Sequence, residues 1–160
     1  MNSKFLFLAL VFGASFAQAL PKEPILTTEV ALKMAQSTFD KCKTQGYSVS
    51  VNVLDRGGNQ IAFLKDENAG VHTIEGSYKK AFTALSTKTP SSKLAEKMMK
   101  KQIPEGMVNL SKNFVFLAGG IPIKVDNVVI GSVGVSGAPV GEIDEKCAQA
   151  GIESIQKELK

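Results

Sequence analysis

The chain has no tryptophan, a single histidine, two cysteines, and one arginine, Arg56, among its 19 basic residues. Each scarcity removes a class of function. One imidazole and two cysteines as far apart as Cys42 and Cys147 lack the ligands and the spacing of a structural zinc site. The same lone histidine, with no lipase-type nucleophile elbow, leaves little from which to build a catalytic triad. A formal net charge of +4, carried almost wholly by lysine, does not read as nucleic-acid binding. No apolar run reaches the roughly 20 residues that a membrane-spanning helix requires, so membrane insertion is not expected.

What is present begins at the N-terminus. Lys4 precedes an uncharged, mostly apolar run from Phe5 to Phe16, followed by the small-residue segment Ala17-Gln18-Ala19. That order is the order of a secretory signal peptide. The expectation is therefore a signal segment over 1–19, cleaved near Ala19, and one domain over 20–160 released to the periplasm or secreted. No cysteine stands at the junction to carry an acyl anchor.

Along the mature chain the periodicities alternate between helix and strand. From an N-cap at Thr27 or Thr28, Val30, Met34, Thr38 or Phe39 and Cys42 recur at helical spacing, with Gly46 as a stop. Val49, Val51 and Val53 alternate within residues 48–54, and the turn formers Asp55 to Asn59 lead to a second strand over 60–64. A helix is expected over 73–85, with Ile74, Tyr78, Ala81, Phe82 and Leu85 inward and Ser77, Lys79 and Lys80 outward. Pro90-Ser91-Ser92 opens a short helix with Leu94 and Met98 inward. Strands are expected over 115–117, 121–125 and 128–136, the last two joined at Asp126-Asn127, and a final helix runs from Gly141 towards Lys160.

This order fits an α+β fold: a single domain with one antiparallel β-sheet of about five strands flanked by helices. If the first and last helices lie side by side and antiparallel, Cys42 and Cys147 meet and form a disulfide, which an exporting compartment permits. Two unpaired thiols packed as small apolar groups are the alternative.

The signal for catalysis is weak, and no catalytic residue is assigned. The glycines of the segment Gly134 to Gly141 lack the lysine and hydroxyl of a phosphate loop and read as backbone and packing requirements. Lys93, Lys97, Lys100 and Lys101 read as a solvated helix face. His72 remains, after a glycine and ahead of an amphipathic helix. A histidine with an apolar pocket, and Lys79 or Lys80 nearby for propionates, suits heme; a histidine that hydrogen-bonds locally or faces water is the bland reading.

Four segments then stand in a familiar order: Asp55-Arg56-Gly57-Gly58-Asn59, Lys80-Ala81-Phe82-Thr83-Ala84, Gly119-Gly120-Ile121-Pro122-Ile123, and Gly131 to Gly137 running into Ala138-Pro139. Together they resemble the HbpS/GlcG-like family of heme-binding or heme-degrading domains, over nearly all of the mature chain. The resemblance implies a profilin-like or PAS-like sheet flanked by helices and assembly as a homo-oligomer. It also implies heme as cofactor and partner, with His72 as the iron ligand and Thr73 and Tyr78 as nearby oxygen-bearing candidates, and Lys79 joins this set as the cation already marked for a propionate. An extracytoplasmic protein that stores, buffers or delivers heme without turning it over is the resulting expectation. The alternatives are a protein that acts on a small organic acid or degrades heme, and an oligomeric interaction protein with no cofactor.

Overall fold

The computed structural model describes residues 23–159, so the expected signal segment over 1–19 lies outside the described residues. Helix α1 (Thr28–Lys43) begins where Thr27 Oγ1 accepts the Val30 N–H. Strands β1 (Ser50–Asp55) and β2 (Gln60–Lys65) follow, then helices α2 (His72–Thr87) and α3 (Ser91–Met99) and a 3₁₀ turn at Glu105–Asn109. Strands β3 (Gly120–Val125) and β4 (Val128–Ser136) and helix α4 (Gly141–Ser154) complete the chain. The four strands form one antiparallel sheet in the order β2-β1-β4-β3.

The register gives the sheet two unlike faces. Val51 stands opposite Val135 and Val53 opposite Val133, with Ile121 beside Val133 on the next strand. This branched aliphatic face packs against Ala31, Met34 and Ala35 of α1 and Ala148 of α4 as the main core. Cys42 and Cys147 join the two helices as a disulfide with Cα atoms 5.6 Å apart. The other face is mostly small and polar, with Ser50, Asn52, Ser132 and Ser136 buried, and Leu54 opposite Ser132 is a large apolar member of it.

That second face reverses the expected orientation of α2. Thr73, Ser77, Lys80 and Ala84 are buried, and of the expected inward residues Ala81 is buried as well, whereas Ile74 is 45% exposed and Tyr78 and Phe82 are half-buried. The sheet beneath α2 offers mainly hydroxyls and glycines. Ser50 Oγ and Thr73 Oγ1 lie 2.8 Å apart, and Asn52 Nδ2 donates to Ser77 Oγ at 3.2 Å. A Cβ on Gly134 would stand 2.1 Å from the Ser77 carbonyl, so the helix rests almost directly on the strand backbone. The outward stripe instead joins an aromatic run, Tyr78 to Phe82 to Phe114 to Phe116, with successive ring centroids 6.1, 5.8 and 6.0 Å apart.

Two further expectations change. Residues 115–117 are not a strand, so among the described residues the sheet has four strands rather than about five. Val115 N–H donates to Thr83 Oγ1 of α2 at 2.9 Å, and Phe114 and Phe116 pack in the aromatic run, which diverts this segment from the sheet edge. Helix α4 stops at Ser154 instead of continuing towards Lys160. Tighter turns follow, with Ile155 N–H bonded to the Ile152 carbonyl and Glu158 N–H to the Ile155 carbonyl, and they bury Ile155 and Leu159 in the core.

Candidate functional site

A cavity of about 840 Å³ opens between α2, α3 and the start of α4. This volume falls within the range of cofactor and small-molecule sites. Its wall combines Met98 and Met99 of α3 with Phe116 and Leu117 of the diverted segment. The loop from Ser136 to Gly141 forms the opposite side. His72, the first residue of α2, reaches the cavity with its exposed imidazole. A side chain at position 70 would crowd this ring, since a Cβ there would stand 2.8 Å from His72 Cε1. Gly70 thus leaves the space that the imidazole occupies.

At the buried end, Lys80 Nζ donates to Asp144 Oδ2 at 2.7 Å, with side chains only 7% and 2% exposed. The other carboxylate oxygen, Oδ1, accepts the Ala138 N–H at 3.0 Å. The pair therefore fastens α2, α4 and the loop that lines the cavity. Burial pushes the Asp144 carboxyl above its ordinary value, against the opposing charge and hydrogen bond of Lys80. Two buried charges carry a large desolvation cost, so the attraction within the pair is largely offset.

Of the residues singled out from the sequence, His72 and Lys80 line this cavity, and Thr73, Tyr78 and Lys79 do not. Thr73 Oγ1 faces the sheet, bonded to Ser50 and to the Gly70 carbonyl at 2.6 Å. Tyr78 stacks on Phe82, and Lys79 forms an i,i+4 ion pair with Glu75 at 2.8 Å. Lys93, read as part of a solvated face, stands at the rim. Sequence reasoning missed Lys80 and Asp144 as a pair. The available signal was that Lys80 shares the helical stripe of Thr73, Ser77 and Ala84, the one that meets the sheet.

A four-stranded antiparallel sheet with two disulfide-linked helices on one face, one helix on the other, and a cavity closed by a buried ion pair defines an α+β domain with a ligand-sized site. The chain belongs to the HbpS-like family: the family profile described as "Haem degrading protein HbpS-like" matches residues 26–153. Among solved structures, a double mutant of HbpS from Streptomyces reticuli is 33% identical, with a TM-score of 0.77, over 91% of this chain and 97% of that one. The protein ORFY of Klebsiella pneumoniae is 26% identical, with a TM-score of 0.81, over 89% of this chain and 98% of that one. PduOC, solved as a complex with heme, is 25% identical, with a TM-score of 0.77, over 82% of this chain and 96% of that one.

Proposed function

We propose that this chain is an exported heme-binding protein that holds heme in the cavity beside His72, for storage, buffering or delivery rather than turnover. The observation that carries the reading is the conjunction, in one cavity of about 840 Å³, of the chain's only imidazole with an apolar wall of methionine, phenylalanine and leucine. An imidazole is a good axial ligand for iron, and an apolar, partly enclosed site suits the porphyrin faces. The residues fit the group: His72 would take the iron, Phe116 and Leu117 would cover a porphyrin face, and Lys93 at the rim supplies a cation. Bound heme would bring redox-active iron, and the protein's part is to hold it and limit access to it.

Kinship with HbpS and with a domain solved in complex with heme supports this ligand class. The disulfide between Cys42 and Cys147 supports export, since such bonds persist in oxidising compartments, and so does the signal-like order of residues 1–19. Release near Ala19 to the periplasm or outside the cell is part of the proposal. Assembly as a homo-oligomer belongs to it as well, supported by the exposed Val71 and Ile74 beside half-buried Tyr78 on α2.

The test is a hemin titration by absorbance on the domain from Leu20 onward and on its His72→Ala variant, each against an unrelated protein of similar charge. The expected result is a saturable Soret shift that the variant loses or weakens at least tenfold. A signal no greater than the control's overturns the heme reading. Bilin formation with a reductant present overturns storage in favour of degradation.

A further inference from the structure

We infer that the buried end of this cavity is a carboxylate subsite, in which Lys80 Nζ takes a carboxylate group of the bound ligand. The inference deepens the reading of the same cavity as a heme site. An ammonium carries three N–H donors. Among the described residues Asp144 Oδ2 is the only acceptor bonded to Lys80 Nζ, although the side chain is 7% exposed. Asp144 is the satisfied member of the pair, because Oδ1 takes the Ala138 N–H and Oδ2 takes Lys80. The hydrogen-bonding capacity left over at this end is therefore donor capacity on a cation, and Lys80 contributes to the cavity surface. An acceptor completes it, and an anionic acceptor completes it best.

The neighbouring charges select the anion. Asp144 neutralises Lys80 and fixes the direction of its ammonium, so the end is close to neutral before a ligand arrives. Glu142 and Glu145 stand with Asp144 near the start of α4 and disfavour a multiply charged phosphate, whereas one carboxylate brings a single charge. At the rim Lys93 adds a cation, while Glu96 is paired with Lys100. The shared chemistry is a monoanionic carboxylate, and its sources are a porphyrin propionate or a free small carboxylic acid.

Two arms separate the sources, each run on the wild-type domain and on Lys80→Met/Asp144→Asn, a change that removes both charges together and keeps an acceptor for the Ala138 N–H. In the first arm, hemin and its dimethyl ester are titrated by absorbance. The wild type should prefer the free acid by about tenfold, and the double variant by less than about twofold, as expected for one charge-assisted contact. In the second arm, the thermal midpoint is followed in sodium propionate and in sodium chloride at equal ionic strength. A propionate-specific rise that the variant lacks identifies a free acid as an occupant. If hemin gives only the control's signal, the heme reading falls, while a propionate-specific rise still supports the subsite. Equal binding of hemin and its ester by the wild type, with no propionate-specific rise, overturns the subsite and leaves heme binding intact. A preference that survives in the folded variant overturns the role of Lys80. Should the variant fail to give the wild-type circular dichroism spectrum, the wild-type comparison of hemin with its ester decides the matter.

Discussion

Reducing the Cys42–Cys147 bond should remove a large part of this domain's stability. The bond spans a sequence separation of 105 residues and links two fully buried side chains at the α1/α4 contact. In the chain-entropy account, closing a loop of about 100 residues restricts the unfolded chain by about 4.7 kcal/mol at 25 °C. Small domains have total stabilities of only about 5 to 15 kcal/mol, so the cross-link carries a substantial fraction. Reduction leaves both sulfurs in place, so the oxidised and reduced forms differ chiefly in the tether. The assay is urea unfolding of each form, followed by circular dichroism. With a slope of about 2 kcal/mol per molar urea, the midpoint should fall by roughly 2 M on reduction. A fall below about 0.5 M would refute the entropic account by the same slope. Two titratable thiols in the oxidised protein, denatured without reductant, would refute the bond itself.

The remaining predictions concern packing and acid. Gly151 lets α4 approach α1, and a Cβ there would stand 1.8 Å from Thr38 Oγ1, a buried hydroxyl with no partner among the described residues. Gly151→Ala should therefore cost about 2 kcal/mol or more, and the cost should fall by at least about 1 kcal/mol in a Thr38→Ala background, read by a double-mutant cycle in urea. Additive effects would sink that argument. The Asn59 side-chain amide, with backbone N–H groups of Asn59 and Gly57, holds the Asp55 carboxyl below its ordinary value. A lowered folded value means a contribution present above the ordinary carboxylate range and lost as pH falls through the folded value. The stability gap between wild type and Asp55→Asn should thus narrow on acidification, and a gap constant from neutral pH into the acid range would contradict it.

Local chemistry already decided much of the architecture. The alternation of Val49, Val51 and Val53, the Asp126-Asn127 turn and the N-cap at Thr27 are written in neighbouring residues, because strand pleat, turn type and capping are short-range effects. The antiparallel pairing of the first and last helices was also within reach, and with it the meeting of Cys42 and Cys147. His72 could be marked because it is the chain's only imidazole and needs no partner to be noticed.

Helix α2 shows where such reading stops. It carries two stripes, one of Thr73, Ser77 and Ala84 and one of Ile74, Tyr78, Phe82 and Leu85, with Ala81 on the border of both, and apolar periodicity selects the second together with Ala81. The sheet selects the first, because its inner surface at β4 is glycine and serine and admits a helix only through small side chains. That choice sends Lys80 inward to Asp144, a residue 64 positions away in the chain, and sends Phe82 outward to receive Phe114. The residue order by itself determined most of the elements and the single imidazole, and it made a Cys42–Cys147 pairing available. Only the tertiary structure decided which face of α2 meets the sheet, and hence the cavity and its buried charge pair, because those depend on contacts between segments that sequence spacing does not relate.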